Sequence, residues 1–107
     1  MDRITNYIFI GDWKSSIDRE QLINNDIKTI ICVNDRFKSS KNMYLYEELN
    51  INHHHIQEYD VPQTNLLKYF NKTNKIIENS IKNRKNILVH CTMGISRSTT
   101  IVLSYLL

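Results

Sequence analysis

The fold of this chain is decided by one stretch, Ile87-Leu88-Val89-His90-Cys91-Thr92-Met93-Gly94-Ile95-Ser96-Arg97-Ser98. Its first three residues form a short, wholly apolar run, which predicts a buried strand that continues into His90 and Cys91. Helical spacing of apolar residues resumes at Ser96 and continues to Leu107. The stretch therefore predicts a strand, a tight loop and a helix in immediate succession.

Three other runs rich in β-branched and aromatic residues predict further strands, at Tyr7–Ile10, Lys28–Val33 and Ile51–Ile56. Apolar residues recur at helical spacing from Asn65 to Lys82, which predicts an amphipathic helix. The pattern from Asn34 to Asn50 is weaker and indicates a loop and a short helix. Strands that alternate with helices favour an α/β fold, with a largely parallel central sheet flanked by helices.

The segment after the first strand is rich in turn formers and capping residues. Gly11-Asp12 predicts that this strand ends in a turn. Ser15-Ser16 offers an N-cap for a short helix that carries Ile17, Leu22 and Ile23.

Length and composition are those of one globular domain over residues 1–107, with 41% hydrophobic and 23% charged residues. No apolar run approaches the roughly 18 residues that a membrane span requires, and the N-terminus lacks the plan of a signal peptide. We therefore expect a soluble cytoplasmic protein that makes no membrane contact.

The net charge of +3 is modest, and many of the cations are lysines scattered along the predicted helix and just beyond it. They are Lys68, Lys72, Lys75, Lys82 and Lys85. A nucleic-acid site needs a denser basic patch, often with aromatic residues on which bases stack. We read the lysines as a solvated face and expect no nucleic-acid partner.

The chain has two cysteines, and both lie in or at the end of apolar runs. A cysteine beside a histidine in a cytoplasmic chain is more often reactive than cross-linked. Cys32 and Cys91 are therefore both predicted to be thiols, Cys32 as a core residue.

The loop after the central strand has the properties of a phosphate cradle. Backbone N–H groups in such a loop can turn inward onto an anion, and Gly94 permits the tight conformation that this requires. The N-terminus of the following helix adds positive potential at the same place. The same field favours the thiolate form of Cys91, so that one loop can both bind a phosphate and attack it.

Five residues separate Cys91 from Arg97 in this loop. The planar guanidinium of Arg97 can hold two phosphoryl oxygens and stays charged while negative charge spreads over them. Ser98 is placed so that its hydroxyl can hydrogen-bond the sulfur of Cys91. His90 is expected to orient the loop by hydrogen bonding.

The segment His90–Ser98 resembles the signature loop of the protein tyrosine phosphatase superfamily, in its small dual-specificity branch: His-Cys, five residues, Arg, then Ser or Thr. Similar residues recur at Ile10–Trp13, at Ile30–Val33, in the loop around Asp60, and at two further short segments. Those segments are Asn65-Leu66 and Ser104-Tyr105-Leu106.

The resemblance implies a cysteine-dependent protein phosphatase that acts through a cysteinyl-phosphate intermediate. Its substrates would be phosphotyrosine and also phosphoserine and phosphothreonine in proteins, because the deep-pocket segments of the tyrosine-specific enzymes have no counterpart here. The loop residues that would bind the phosphate are Thr92, Met93, Gly94, Ile95, Ser96 and Arg97. No cofactor is implied.

The leaving oxygen needs a proton, which a carboxylic acid on an opposing loop could supply. Asp60 matches the general-acid aspartate of the family and lies beside Val61-Pro62. Glu58 is the nearest rival but does not match that position. A plain turn-forming role for Asp60 is the alternative.

The run His53-His54-His55 raises the possibility of a metal site. Consecutive strand residues point to alternate faces, so these three side chains cannot converge on one ion. We therefore predict no metal site from this run.

Relatives of this kind continue beyond the helix that follows the loop, whereas this sequence ends at Leu107. Leu103, Leu106 and Leu107 would then be uncovered. Three explanations are open: a shortened sequence, a naturally short version of the domain, and a homodimer through this helix, which is slightly favoured. Two other functions remain open: a phosphate-binding module without turnover, and the same chemistry on RNA 5′-triphosphate or phosphoinositide. Phosphoinositide is disfavoured because relatives that act on lipids tend to carry lysines in this loop, and this loop has none. RNA 5′-triphosphate is disfavoured because the RNA-directed branch usually has Asn-Arg-Thr where this chain has Ser96-Arg97-Ser98.

Overall fold

The apolar runs of the sequence form the strands of a central sheet. The computed structural model describes residues 1–34, 40–57, 70–91 and 96–107, without the side chains of 34, 40–42, 57, 96 and 97. In chain order the elements are β1 Asp2–Arg3, β2 Ile8–Asp12, α1 Trp13–Ser16, α2 Arg19–Asn24, β3 Ile27–Asn34, α3 Ser40–Glu48, β4 Asn52–Gln57, α4 Phe70–Lys82, β5 Asn86–Cys91 and α5 Ser96–Leu106.

The sheet has five strands in the order β1-β2-β5-β3-β4. Strands β2, β5, β3 and β4 are mutually parallel, and only the two-residue β1 is antiparallel to its neighbour. This confirms the predicted α/β fold with a largely parallel sheet. Strand β5 lies between β2 and β3, so both of its edges are paired and its backbone is held from both sides.

Alternate residues of β5 pack into two separate cores, one on each face of the sheet. Ile87, Val89 and Cys91 belong to the core formed with Ile77 of α4 and with α5. Leu88 belongs to the opposite core, which includes residues of α2 and α3. His90, the next residue on that side, therefore faces away from Cys91.

The start of the chain differs from the prediction in two details. Strand β2 continues through Gly11 and Asp12 instead of turning there. The N-caps are Asp12 for α1 and Asp18 for α2, not Ser15-Ser16. Ser15 instead donates its backbone N–H to Asp12 Oδ1 at 3.0 Å, because the aspartate carboxylate accepts the N–H groups that have no partner in a helical first turn.

Helices α2, α3 and α4 are each followed by a residue with positive φ just before the next strand. These residues are Asp26, Asn50 and Arg84, with φ of 50°, 56° and 56°. After α4 the N–H of Lys85 donates to the carbonyl of Ser80 at 2.8 Å and that of Arg84 donates to Ile81 at 2.9 Å. This pair of bonds is a Schellman motif, which ends the helix and aims the chain into β5.

The lysines described on and after α4 are exposed, as predicted for a solvated face: Lys72, Lys75, Lys82 and Lys85. Lys68 and the predicted start of this helix at Asn65 lie outside the described residues. In the part of the chain that the structure describes, no helix has the length and apolarity needed to cross a membrane.

Candidate active site

Cys91 is the last residue of β5 and lies at the carboxyl end of the parallel strands. Ligands of open α/β sheets bind outside this edge, where the strands give way to loops. The side chain of Cys91 is 1% exposed and packs in the core between the sheet and α5. Both cysteines of the chain are buried thiols outside any disulfide, as predicted.

The helix α5 begins at Ser96, so four residues join the end of β5 to its N-terminus. Those residues, Thr92, Met93, Gly94 and Ile95, lie outside the described part of the chain. Ser96 and Arg97 belong to the first turn of α5, and their side chains are not described. The predicted strand that ends at Cys91 and the predicted helix that begins at Ser96 are confirmed, which sets the positive end of a helix dipole near Cys91.

Ser98 is the predicted site residue whose described side chain contacts Cys91. Its side chain is completely buried, and its Oγ lies 3.8 Å from Cys91 Sγ. The first turn of α5 holds it there, since Ser98 is the third residue of that helix. When the sulfur is a thiolate, this hydroxyl is positioned to donate a hydrogen bond to it.

His90 lies on the opposite face of the sheet and is 3% exposed. Burial, reinforced by nearby His55, lowers the pKa of His90 to about 4, so the imidazole is neutral at pH 7. Among the described residues, neither ring nitrogen forms a well-aligned hydrogen bond, and the imidazole has only a weak contact with the backbone of Cys91. The predicted hydrogen bond from His90 to the loop stays a prediction, because residues 92–95 lie outside the described part of the chain.

Asp12 is a neighbour of Cys91 that was not identified from the sequence as a site residue. The two residues are register partners at the ends of β2 and β5. Its carboxylate accepts the backbone N–H of Ser15, and this bond lowers the pKa of Asp12, so the group is charged near the site. Only the pairing of β2 with β5, whose register partners are 79 residues apart in the sequence, brings it there.

Asp60 and its rival Glu58 lie outside the described residues, so the general acid stays a prediction. The three consecutive histidines are described and alternate as expected. Register places His53 beside Ile30, which packs in the core with Leu88, and His54 beside Ile31, which packs in the other core.

The side of the sheet behind His90 carries a second group of polar residues. Ligand atoms of Cys32, His53 and His90 all lie within 4.8 Å of one another. The ring of Tyr46 in α3 stacks on His53, with centroids 4.8 Å apart and an angle of 16° between the planes. Cys32 and His90 are register partners on β3 and β5. No local sequence pattern indicates this group, since its members come from three separate strands.

Comparison with known proteins gives one consistent result. The family described as dual specificity phosphatase, catalytic domain, matches residues 8–107. Dual specificity protein phosphatase 22 of Homo sapiens is 32% identical over 107 residues, covering 100% of this chain and 54% of that protein. Tyrosine-protein phosphatase yvh1 of Schizosaccharomyces pombe is 31% identical over 107 residues, covering 100% of this chain and 31% of that protein.

Among solved structures, the crystal structure of DUSP15 matches with a TM-score of 0.84 and 29% sequence identity, covering 99% of this chain and 64% of that one. The chain thus spans 54% and 31% of the length of the two curated relatives above.

Proposed function

Because the chain belongs to the dual specificity phosphatase catalytic-domain family, we propose that it is a cysteine-dependent protein phosphatase whose nucleophile is Cys91. Its substrates would be phosphotyrosine and phosphoserine or phosphothreonine in proteins. The observation that carries the proposal is the pairing of Cys91 Sγ with Ser98 Oγ at 3.8 Å, between the end of β5 and the first turn of α5.

The first step would be an in-line displacement at phosphorus. The thiolate of Cys91 forms the S–P bond while the P–O bond to the substrate side chain breaks, and Asp60 gives its proton to the departing oxygen. Backbone N–H groups of residues 92–97 and the guanidinium of Arg97 would hold the equatorial oxygens, on which charge accumulates. Positioning and electrostatics supply most of the rate in such a reaction.

The second step would return the enzyme to its starting state. Asp60, now a carboxylate, takes a proton from a water molecule whose oxygen forms a new bond to phosphorus, and the S–P bond breaks. The departing sulfur carries the electron pair as a thiolate, which the hydroxyl of Ser98 stabilises by donating a hydrogen bond. Phosphate leaves, and neither step requires a metal ion or an organic cofactor.

Turnover of p-nitrophenyl phosphate in the presence of EDTA tests the function. We expect the wild type to release phosphate, vanadate to compete with the substrate, and Cys91→Ser to have no activity while it still binds a phosphotyrosine peptide. Cys32→Ser is the matched control, since Cys32 lies on the other face of the sheet, and it should retain turnover. Wild-type protein that binds the peptide tightly without turnover would instead identify a phosphate-binding module.

Ser98→Ala separates the two steps. Removal of the hydroxyl leaves the thiolate without its donor and slows the second step, so we expect a burst of p-nitrophenol followed by a slower steady rate. Rapid-mixing absorbance measurements would detect the burst. A steady rate equal to that of the wild type would remove Ser98 from the mechanism.

Asp60→Ala tests the general acid. General acid catalysis is worth about 10²–10⁴-fold, and a poor leaving group depends on it more than a good one. We therefore expect a larger loss on phenyl phosphate than on p-nitrophenyl phosphate, and a pH profile that is flatter between acidic and neutral pH. Glu58→Gln is the control and should leave both rates near those of the wild type.

We also propose that the protein works in the cytoplasm, where its nucleophilic thiol stays reduced, and that two copies associate through α5. Leu103 and Leu106 on this helix are 47% and 45% exposed. Light scattering across a wide concentration range tests the dimer, with Leu103→Glu as the disrupting variant. A species that is monomeric at every concentration would contradict it.

A further inference from the structure

The cluster of Cys32, His53 and His90 lies on the face of the sheet that does not carry Cys91. Each residue comes from a different parallel strand, β3, β4 and β5. Their ligand atoms lie within 4.8 Å of one another. One thiol and two imidazoles form a nitrogen and sulfur donor set, which suits zinc and related ions and does not suit magnesium or calcium.

The distances are close to those of a bound ion. Tetrahedral zinc with bonds of about 2.0–2.3 Å holds its ligand atoms about 3.5 Å apart. The ligand atoms of Cys32, His53 and His90 now lie up to 4.8 Å apart, so side-chain movements on the order of 1 Å would bring them to the spacing around a zinc ion. No strand has to change its register for this to happen.

Burial and unsatisfied polar atoms point to a ligand at this place. Cys32 is 5% exposed and His90 is 3% exposed. Buried imidazole nitrogens are normally hydrogen-bonded, yet within the described residues His90 has only a weak contact with the backbone of Cys91 and no well-aligned hydrogen bond. An ion bonded to one nitrogen of His90 would offset part of the free energy lost by burying this imidazole without a full set of hydrogen bonds. His53 is only partly buried, which leaves a path by which an ion can enter from solvent.

The orientation of one ligand is already fixed by a residue outside the cluster. Tyr46 donates its hydroxyl to the carbonyl of Ser16 at 2.8 Å, and its ring is 2% exposed. That ring stacks on His53 at 4.8 Å. Because Tyr46 is anchored by this bond, it holds the plane of the imidazole, as residues around a metal site do for the ligands that bind the ion.

We propose that Cys32, His53 and His90 bind one divalent ion of the zinc class. Binding forms one metal–sulfur bond and two metal–nitrogen bonds, and the proton of the Cys32 thiol is released to solvent. A solvent molecule would occupy the fourth position of the tetrahedron. The ion would join β3, β4 and β5 directly behind Cys91 and stabilise the folded protein, since it binds the native state only. It would take no part in phosphate transfer.

Cobalt(II) titration of the Cys91→Ser variant tests the site. This variant lacks the sulfur of Cys91, so a thiolate–cobalt band reports on Cys32 alone, and the readout does not depend on catalysis. We expect saturation at one ion per chain, visible absorption of tetrahedral cobalt, and a near-ultraviolet band from a thiolate–cobalt bond. Zinc should displace the cobalt and should raise the Tm by about 5 °C or more when present well above its Kd. Phosphatase activity plays no part in these readouts.

Variants in the same Cys91→Ser background identify the ligands. Cys32→Ser should lose the near-ultraviolet band, and His53→Gln should weaken cobalt binding by about 10-fold or more. His54→Gln is the matched control and should bind as before, since His54 points to the opposite face. Far-ultraviolet circular dichroism would show whether each variant folds. If Cys32→Ser does not fold, the cobalt affinity of His53→Gln decides the outcome, because His53 is only partly buried.

Three results would overturn the proposal. One is the absence of saturable cobalt binding to Cys91→Ser, and another is a near-ultraviolet band that persists in a folded Cys32→Ser variant. The third is unchanged affinity in His53→Gln. None of them bears on Cys91 as a nucleophile, so failure here is distinct from failure of the proposed phosphatase function.

Discussion

Gly11 and His90 are register partners on β2 and β5, and each is confined by the residues packed around it. Gly11 lies where α1 turns back over the end of β2. A Cβ atom there would be 2.9 Å from Ser15 Cβ and 3.2 Å from Met1 Cβ. His90 is buried without a well-aligned hydrogen bond to the described part of the chain. Both residues thus have packing requirements next to the proposed nucleophile.

Gly11→Ala should destabilise the protein by about 1–3 kcal/mol, because the new methyl group overlaps Ser15 and forces α1 to move. Urea unfolding measures the change. In a double-mutant cycle, Ser15→Gly should recover part of this loss, since it removes the atoms that the methyl group meets. Strictly additive effects of the two substitutions would contradict this steric explanation.

Acidification should destabilise the protein through His90. Its folded-state pKa is about 4 against an ordinary value of 6.5, so the unfolded chain binds the proton more readily between these values. Stability is therefore full above pH 6.5 and falls as the pH drops toward 4, by about 2 kcal/mol at pH 5. Urea unfolding with a chelator present, at pH 7 and pH 5, measures it.

His90→Gln is the control for this dependence and should flatten the curve between pH 7 and pH 5. The lowered pKa values of Asp12 and Asp18 act in the same direction, but only below their ordinary value of 3.8. A wild-type protein whose stability is the same at pH 7 and pH 5 would show that His90 is not buried as described.

At the scale of the elements, the connections from helix to strand set the register of β5. The Schellman motif at the end of α4 turns the chain at Arg84, and buried Ser80 holds the same turn by donating its hydroxyl to the carbonyl of Lys85 at 2.8 Å. Ser80 Oγ also lies 3.1 Å from Thr29 Oγ1 on β3. Helix α4 is thereby joined to two neighbouring strands at the end opposite the active site.

Arg84→Gly should stabilise the protein by about 0.5–1 kcal/mol. A positive φ of 56° strains a residue with a Cβ atom, and glycine removes that strain. Thermal unfolding measures the shift. Lys82→Gly is the matched control and should destabilise by about 1 kcal/mol, because Lys82 is still helical. Two shifts of the same sign would exclude this account of the turn.

Across the whole molecule, β5 is the strand on which both cores depend. Its residues pack alternately against α4 and α5 on one side and against α2 and α3 on the other. A disturbance of one core therefore reaches the other through a single strand that ends in Cys91. The position of Cys91, the proposed nucleophile, therefore depends on both cores together.

Leu88→Ala should cost about 2–5 kcal/mol, because the side chain is fully buried and a cavity would remain. The same truncation at Leu103, which is 47% exposed in the single chain, should cost less than about 0.5 kcal/mol in dilute protein, where the proposed dimer dissociates. Denaturant unfolding of the two variants at low and high protein concentration compares them. A loss at Leu103 that matches that at Leu88 even in dilute protein would contradict this difference in burial.

The sequence by itself determined the class of fold and singled out Cys91 as the proposed nucleophile. Apolar runs such as Ile87–Val89 are readable because burial on both faces demands them, and the short loop before Ser96 follows from local spacing. The N-caps of the helices could not be predicted from the sequence as reliably as the strands. Asp12, Ser15 and Ser16 are all good caps, and the choice among them depends on where β2 ends.

Only the tertiary structure decided which strands are neighbours. The order β1-β2-β5-β3-β4 sets Asp12 beside Cys91, and it gathers Cys32, His53 and His90 behind the site. No local pattern encodes these contacts, because strand order and register are fixed by how both faces of the sheet are buried at once. The alternation of the three histidines along β4 follows from the period of a strand, whereas the convergence of Cys32, His53 and His90 across three strands depends on the folded sheet.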